Sequence, residues 1–416
     1  MFVWKNRGSI HRTAQEMMRI LMINVVCGIK STGRICTDLA DILQQHGNEV
    51  KIAYGREDVP EQYADKAFLI SKGISTQMHA LKTRLFDMTG FGSKYSTEKF
   101  IEWIELYDPD IIHMHNLHGY YINIELLFNY LKRSNRRVVW TLHDCWSFTG
   151  HCAHYAYEGC IQWKSQCSKC NLMREYPKCV LWGNVKRNYN KKKELFTGVK
   201  GMQLVTPSAW LGEQVAQSFL KEYACTVIPN GVDLERFKKV NSNFREKYNL
   251  TNKIIVLGVA TAWSEKKGLY KFCDIAETLG EQYKVVLVGV NSQQEKALPE
   301  TIIKIRKTNS IEELSEIYSA ADVFLNLSKE ETMGLTTVEA MACGTPVVTT
   351  DLTAVPEVVD SDSGIVVHDY STDSFVDGIT RVLRGTFEPR IRAEMYDKEL
   401  QYQKYIELYE KLIQNS

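Results

Sequence analysis

The sequence has no long hydrophobic run and no excess of charge of either sign. Its longest nearly apolar stretch, residues 20–29, is too short to cross a bilayer, which takes about 20 apolar residues. It therefore predicts a buried strand and no transmembrane helix. Lys and Arg together number 51 and Asp and Glu 50, a formal net charge of +1. This balance predicts no nucleic-acid partner and argues against a zinc-dependent nucleic-acid module.

The amino-terminal residues also lack the apolar core of a signal peptide. We expect residues 1–17 to form an extension and the protein to stay in the cytoplasm, a reducing compartment. There the 11 cysteines are expected to be thiols or metal ligands rather than disulfides. Hydrophobic residues make up 44% and charged residues 24% of the chain, which is ordinary for a globular protein and argues against disorder.

Strand-like apolar runs alternate with segments of helical spacing along the chain. RILMINVV is followed by the helix-like TDLADILQQHG, and the second half repeats this order with NKIIVLGVAT and LYKFCDIAETLGEQ. The alternation predicts an α/β protein with one domain over residues 18–228, a second over 229–399 and a final helix over 400–416. Parallel sheets bind ligands at the carboxyl ends of their strands. Two of them in one chain predict a cleft and favour a two-substrate enzyme.

The most informative motif is KEETMGLTTVEAMACGTPVV. Glu331 and Glu339 lie eight positions apart. Gly334 lies between them, before a helix start predicted at Leu335 and Thr336. Backbone amides at a helix amino terminus bind anionic oxygens, and carboxylates suit the hydroxyls of a sugar because they only accept hydrogen bonds. The alternative is that both glutamates are solvent-facing charges on an ordinary helix.

This block resembles the signature of family 4 glycosyltransferases, which have the GT-B architecture of two Rossmann-like domains facing each other across a cleft. Four further segments resemble the family in order and spacing: residues 205–208, 228–233, 267–268 and 288–289. The resemblance covers residues 18–416. It also implies that the carboxyl-terminal helix returns to the first domain.

The resemblance implies a role for each part of the motif. Glu339 contacts the ribose of a nucleotide-sugar, Glu331 contacts the donor sugar, and Gly334 lets the backbone approach it. Lys267 stabilises the leaving diphosphate, because a lysine and helix amides can offset the negative charge of departure without a metal. Without this context, a solvated surface lysine is an equally good interpretation of Lys267.

One position departs from the family pattern. The family often has an arginine five or six residues before this lysine, where the present chain has Ala262 and Thr261. We expect Lys266 to supply the missing charge at the donor site.

Two regions of the first domain are predicted to line the cleft. The loop CGIKSTGR joins the first strand to the first helix, and its Gly28 and Gly33 suit a backbone that approaches the donor phosphates. The loop lacks Gly-x-Gly-x-x-Gly and Gly-Lys-Ser/Thr, which argues against dinucleotide and ATPase-type binding. A plain strand-to-helix turn is the alternative. His143 follows another strand, where the family presents a histidine to the donor sugar.

Three further histidines, His113, His115 and His118, follow the predicted strand at Ile111. Two of them share a face if the strand continues, as in some metal sites. Hydrogen-bonding or cleft-wall histidines are the favoured interpretation.

Residues 145–179 hold six of the 11 cysteines and are predicted to form an insert on the acceptor side of the cleft. Cys167 and Cys170 have the spacing of a zinc knuckle, and Cys152 and Cys160 precede them. Four thiolates at tetrahedral distance make a closed structural zinc site. The alternative is reduced cysteines that pack a loop. The segment resembles inserts in bacterial colanic-acid and capsule transferases.

Residues 178–200 are strongly basic, with seven basic residues and one acidic residue. The apolar side chains interleaved with them are Leu181, Trp182, Tyr189, Leu195 and Phe196. This pattern predicts a peripheral membrane contact, or attraction to the diphosphate of a lipid-linked acceptor. A solvated basic helix is the alternative.

Together the motifs predict a retaining glycosyltransferase of the hexosyltransferase class. It is expected to move a sugar from a UDP- or GDP-sugar to a hydroxyl of a saccharide or lipid-linked saccharide, in the biosynthesis of a bacterial capsule or other surface polysaccharide. No cofactor is expected for catalysis. Two alternatives stay open: a nucleotide-sugar epimerase or hydrolase of the same fold, and a non-catalytic subunit of a transferase complex.

Overall fold

The computed structural model describes residues 17–414. The predictions for residues 1–16 and for the last two residues of the final helix lie outside this range. The chain forms two parallel sheets wrapped by helices, which confirms the predicted α/β class. Within residues 17–414, no helix is long and apolar enough to cross a membrane.

The first sheet has seven strands. They are β1 (Arg19–Asn24), β2 (Glu49–Tyr54), β3 (Ala67–Leu69), β4 (Ile111–Met114), β5 (Arg137–Thr141), β6 (Met202–Thr206) and β7 (Cys225–Val227). Their order is β3-β2-β1-β4-β5-β6-β7, and every neighbouring pair is parallel. Ile20 to Ile23 in β1 are fully buried. Covering by helices on both faces explains why a continuous apolar run marks this strand.

The helices of the first half flank this sheet. They are α1 (Lys30–Gln45), α2 (Ile74–Phe86), α3 (Lys94–Tyr107), α4 (Ile124–Ser134), α5 (Val185–Phe196) and α6 (Ala209–Ala216). The cysteine-rich insert lies between β5 and α5 and contains two short 3-10 turns, Trp146–Phe148 and Gln162–Lys164.

The second sheet has six strands. They are β8 (Ile254–Val259), β9 (Tyr283–Val288), β10 (Ile303–Ile305), β11 (Val323–Asn326), β12 (Val347–Thr350) and β13 (Gly364–Val367). Their order is β10-β9-β8-β11-β12-β13, again all parallel. The helices are α7 (Phe244–Lys247), α8 (Leu269–Thr278), α9 (Ser292–Ala297), α10 (Ile311–Ala320), α11 (Leu335–Ala342), α12 (Thr372–Arg384), α13 (Pro389–Glu394) and α14 (Lys398–Gln414).

In both sheets the order of strand addition reverses at the first strand, although all strands stay parallel. In the first sheet β1 lies between β2 and β4, and in the second β8 lies between β9 and β11. Such switch points are where open α/β sheets bind ligands. The loops after β1, β8 and β11 carry most of the predicted site residues.

The last helix, α14, packs on the first domain rather than the second. Tyr402, Tyr405 and Tyr409 are buried in the same core as β1 and α1. The hydroxyl of Tyr409 lies 2.6 Å from Nδ1 of His113, and that of Tyr405 lies 2.9 Å from the hydroxyl of Thr141. The predicted return of the final helix is confirmed.

The basic segment presents only part of the apolar face predicted for residues 178–200. In α5, Tyr189, Leu195 and Phe196 are 2%, 3% and 0% exposed, because they pack into the core of the first domain. The prediction is therefore wrong for these three side chains, and membrane contact through the rest of residues 178–200 stays a prediction. Leu181 and Trp182, in the loop before α5, are 58% and 63% exposed.

Candidate active site

Helix α11 begins directly after Gly334, as the sequence predicts. Gly334 has a φ of 91°, in the left-handed region that favours glycine. No side chain caps this helix end, and its first turn contains no acidic residue. The first amides of an uncapped helix lack intrahelical partners, so those of Leu335 and Thr336 can bind an anionic ligand.

A cavity of about 360 Å³ lies in front of this helix end, between the two domains. The first domain contributes Ser31 and Thr32 from the loop after β1. The predicted site residues that line the cavity are His143, Lys267, Glu331, Gly334, Leu335 and Thr336. Residues far apart in sequence therefore meet in one interdomain site.

Lys267 and Glu331 form an ion pair in this cavity. Nζ of Lys267 donates to Oε1 of Glu331 at 2.5 Å, and the hydroxyl of Ser328 donates to the same oxygen at 3.2 Å. The amide of Glu331 donates to the hydroxyl of Thr353 at 3.0 Å, which fixes the loop before α11. The two side chains keep 32% and 20% exposure, so a ligand can reach both. The pair offers a cation for negative charge and an acceptor for sugar hydroxyls.

Glu339 lines a second cavity, of about 140 Å³, which adjoins the first at Leu335. The hydroxyl of Tyr318 donates to Oε2 of Glu339 at 3.0 Å. Burial raises the pKa of Glu339, while Arg34 and Tyr318 act in the opposite direction. Arg34, on α1, lines the same cavity and was missed from the sequence. Arg34 is the last residue of CGIKSTGR, the segment predicted to line the cleft, but nothing local in the sequence pairs it with Glu339.

The two glycines of the loop after β1 differ in role. Gly28 lines the second cavity with a φ of 71°, and a Cβ there would lie 2.8 Å from a ring carbon of Tyr63. Gly33 lines neither cavity. A Cβ at Gly33 would come within 3.1 Å of Val26, and its carbonyl accepts from the amide of Gly28 at 3.1 Å. The structure corrects the prediction for Gly33, because the residue keeps the turn compact rather than facing a ligand.

His143 faces the first cavity and is supported by the other histidines. Its Nε2 lies 3.0 Å from Nδ1 of His115, and burial lowers its pKa to about 4, so the ring is neutral near pH 7. The hydroxyl of Thr332, in the second domain, donates to the carbonyl of His143 at 3.0 Å. Nε2 of His113 lies 2.8 Å from the hydroxyl of Thr141. These contacts agree with the interpretation as hydrogen-bonding histidines.

Two family models match the chain, Glycosyltransferase Family 4 over residues 32–236 and Glycosyl transferases group 1 over residues 251–385. The chain belongs to the family 4 glycosyltransferases. A relative is WcaC of Escherichia coli (strain K12), named as a colanic acid biosynthesis glycosyl transferase. It is 25% identical over 423 residues, which cover 95% of this chain and 100% of that protein.

Solved structures share the architecture of this glycosyltransferase. Sucrose-phosphate synthase from Thermosynechococcus elongatus superposes with a TM-score of 0.72 at 18% identity, over 96% of this chain and 100% of that one. Anabaena Alr3699/HepE in complex with UDP-glucose gives 0.66 at 15% identity, over 95% and 100%. At these low identities the superpositions show the fold alone. They confirm the predicted GT-B architecture.

Lys266 of this glycosyltransferase lines neither cavity. Its Nζ lies 3.5 Å from Oε2 of Glu330 and 5.8 Å from the centre of the Tyr157 ring. Oε1 of Glu330 in turn accepts from the amide of Ala156 at 2.5 Å. The side chain thus joins the second domain to the cysteine-rich insert. This corrects the prediction that Lys266 supplies the missing charge at the donor site.

The candidate zinc ligands of the glycosyltransferase are Cys152, Cys160, Cys167 and Cys170. All 11 cysteines of the chain are free thiols. Cys152 and Cys170 share a hydrogen bond, and Trp146, Phe148 and Trp163 pack in the same core. Across residues 17–414, no group of three or more His, Cys, Asp or Glu is placed to hold a metal ion. This geometry agrees with reduced cysteines that pack a loop, and zinc binding stays a prediction without geometric support.

Proposed function

We propose that this glycosyltransferase moves a hexosyl unit from a nucleotide-sugar to a hydroxyl group, with retention of the anomeric configuration. The observation that carries the proposal is the ion pair of Lys267 and Glu331 in front of the uncapped end of α11. Negative charge grows on the diphosphate as the bond from the anomeric carbon to the phosphate oxygen breaks. An ammonium group and backbone dipoles already in place stabilise that charge.

The other residues have complementary roles in this proposal. Glu331 accepts hydrogen bonds from the donor sugar, and Glu339 accepts them from the ribose diol. Arg34 offers a cation from the first domain in the second cavity, whereas Thr261 and Ala262 leave their side of the first cavity uncharged.

Retention is proposed to occur without a covalent intermediate. Among the described residues that line the first cavity, Glu331 is the one carboxylate. A retaining glycosidase needs two carboxyl groups about 5 Å apart. We propose instead that the acceptor oxygen attacks from the face that the diphosphate leaves, and that its proton passes to the leaving phosphate oxygen. The protein then supplies positioning and charge stabilisation.

The nucleotide is proposed to be UDP, with GDP as the second candidate. Support comes from Anabaena HepE, which shares the fold and was solved with UDP-glucose. The relative named for colanic acid biosynthesis supports a polysaccharide acceptor. We propose that this acceptor is a surface polysaccharide or its lipid-linked precursor, on the cytoplasmic side of the membrane.

The test is a thermal-shift screen with UDP, GDP and their sugars, followed by product analysis. We expect one nucleotide to raise the melting temperature and the matching sugar to be transferred with its anomeric configuration kept. No shift with either nucleotide would contradict the donor site. Donor turnover without any acceptor would favour an epimerase or hydrolase.

A further inference from the structure

An apolar surface on the first domain has no use in the proposed reaction. Ile74, Met78 and Leu81 lie along one face of α2 and are 78%, 46% and 46% exposed. The opposite face of this helix is held inside, because Nε2 of buried His79 accepts from the amides of Gly90 and Gly92, each at 3.1 Å. Because these hydrogen bonds fix the inner face of α2, the apolar residues on the other face point outward.

The loop before α5 extends the same surface. Val180, Leu181 and Trp182 are 52%, 58% and 63% exposed. The amide of Val180 donates to the carbonyl of Arg84 at 2.8 Å, and the Trp182 ring stacks on Phe86 with 5.5 Å between ring centres and 7° between planes. The loop and the end of α2 thus form one continuous patch. We call Ile74, Met78, Leu81, Phe86, Val180, Leu181 and Trp182 together the α2–Trp182 surface.

Basic side chains surround this surface. On and beside α2, Lys72, Lys82 and Arg84 are exposed, and residues 70–86 contain no acidic residue. Beside the loop, Lys178, Lys186 and Arg187 are exposed. A second copy of this chain would bring like charges together, whereas a surface that carries negative charge would be attracted.

We propose that the α2–Trp182 surface docks onto a bilayer that contains anionic phospholipids. Exposed aromatic and aliphatic side chains enter the headgroup boundary, while the flanking lysines and arginines meet lipid phosphates. The two contributions are both needed, because a few apolar side chains alone give weak membrane binding. This surface keeps Leu181 and Trp182 of the contact expected for residues 178–200 and leaves out the apolar residues of α5, which are buried.

The docked orientation has a consequence for the cleft. Tyr176, which precedes the exposed loop, has its hydroxyl 2.8 Å from Nδ1 of His118, and Nε2 of His118 lies 2.7 Å from Oδ2 of Asp144, next to His143. These contacts connect the docked surface to the cleft, and we expect a lipid-linked acceptor to reach the cleft from the bilayer on this side. This consequence rests on the proposed function, whereas the docking itself does not.

The test is co-sedimentation of the full chain with vesicles of phosphatidylcholine, with and without phosphatidylglycerol. We expect binding to the anionic vesicles that weakens with salt. Leu181→Ser with Trp182→Ser should weaken it roughly tenfold or more, from the lost apolar burial. Lys82→Ser with Arg84→Ser, which removes two of the six flanking cations, should weaken binding to the anionic vesicles and reduce its dependence on salt. Leu106→Ser, at an 84% exposed position of α3 outside the surface, is the matched control.

Three outcomes would overturn the proposal. They are equal sedimentation with both vesicle types, equal sedimentation of the surface variants and the control, and a dimer in light scattering that disappears in the Leu181→Ser, Trp182→Ser variant. Thermal unfolding confirms that each variant is folded. Sedimentation needs neither donor nor acceptor, so its failure is distinguishable from failure of the proposed transferase activity.

Discussion

Nδ1 of His115 lies 3.0 Å from Nε2 of His143, so the buried ring of His115 fixes the orientation of the His143 ring through a hydrogen bond. Among the contacts of residues 17–414, Nδ1 of His143 has no hydrogen-bond partner, and His143 lines the interdomain cavity. His115 therefore determines which ring nitrogen is left for a donor hydroxyl. It acts as a positioning residue that reaches the substrate only through His143.

Replacement of His115 should lower turnover without abolishing donor binding. His115→Phe keeps a ring in the buried space but removes the nitrogen that orients His143, and we expect kcat to fall roughly tenfold or more. His115→Asn offers an amide near the position of Nδ1 and should restore much of that loss. Steady-state kinetics of both variants make the comparison. Equal kcat values for the two would mean that His115 only fills space.

Buried neutral histidines predict a loss of stability in acid. Burial lowers the pKa of His143 to about 4 and that of His113 to about 3, against about 6.5 in an unfolded chain. Below about pH 6.5 the unfolded state therefore binds more protons, and the free energy of unfolding falls as pH falls. Each such histidine contributes about 1.4 kcal/mol per pH unit in this window.

Burial raises the pKa of Asp38 to about 6, so this residue stabilises the folded state as pH falls and opposes the trend. Burial lowers the pKa of His79 to about 4, so His79 adds to the loss of stability in acid. Urea unfolding midpoints should therefore drop steadily between about pH 6.5 and 4. A midpoint that stays constant over this range would show that the histidines are not buried as described.

Lys267 should matter more for turnover than for binding. Its charge complements one that develops as the diphosphate leaves, so Lys267→Ala should lower kcat by roughly 100-fold and raise KM less. Lys266→Ala is the matched control, because the neighbouring lysine points to Glu330 outside the cavity. If Lys267→Ala raised KM with kcat unchanged, the lysine would bind ground state and transition state equally, and the proposed role would be wrong.

Local signals predicted the helix start at Gly334 and the two-domain plan. A glycine in the left-handed region and an apolar run that follows it are properties of a few adjacent residues. The direction of a side chain in a tertiary contact has no such local signal. Lys266 and Lys267 are consecutive, yet they point to the insert and to the cavity respectively, because the short turn before α8 rotates one relative to the other.

The same limit explains the errors at α5 and Arg34. The pattern of α5 could place Tyr189 and Phe196 on one face, but whether a core or a lipid covers that face depends on neighbours distant in sequence. Arg34 joins the site because α1 of the first domain faces Glu339 of the second. Sequence patterns within either domain carry no information on that pairing.

The cysteine-rich insert offers a direct test by metal analysis. If Cys152, Cys160, Cys167 and Cys170 bind zinc, protein purified without chelator should contain about one zinc per chain, lost in a Cys167→Ser, Cys170→Ser variant. The matched control is Cys273→Ser, at a partly buried thiol of α8. Protein without zinc, with every thiol reactive to a labelling reagent after unfolding, would leave the insert as a loop packed by reduced cysteines.

Glu339 should contribute to nucleotide affinity through the ribose. Glu339→Ala removes hydrogen bonds to a charged acceptor and should cost about 1.5–3 kcal/mol in binding by isothermal titration. The same change leaves Arg34 without its neighbouring carboxylate, which would strengthen attraction of a diphosphate and mask part of the loss.

The comparison should therefore include the free nucleoside, which has no diphosphate. We expect the loss on Glu339→Ala to be larger for uridine or guanosine than for the corresponding diphosphate. Tyr318→Phe, which removes the hydroxyl that donates to Oε2 of Glu339 at 3.0 Å, should cause a smaller loss for both ligands. Unchanged affinity for nucleoside and diphosphate alike would show that Glu339 does not contact the ribose.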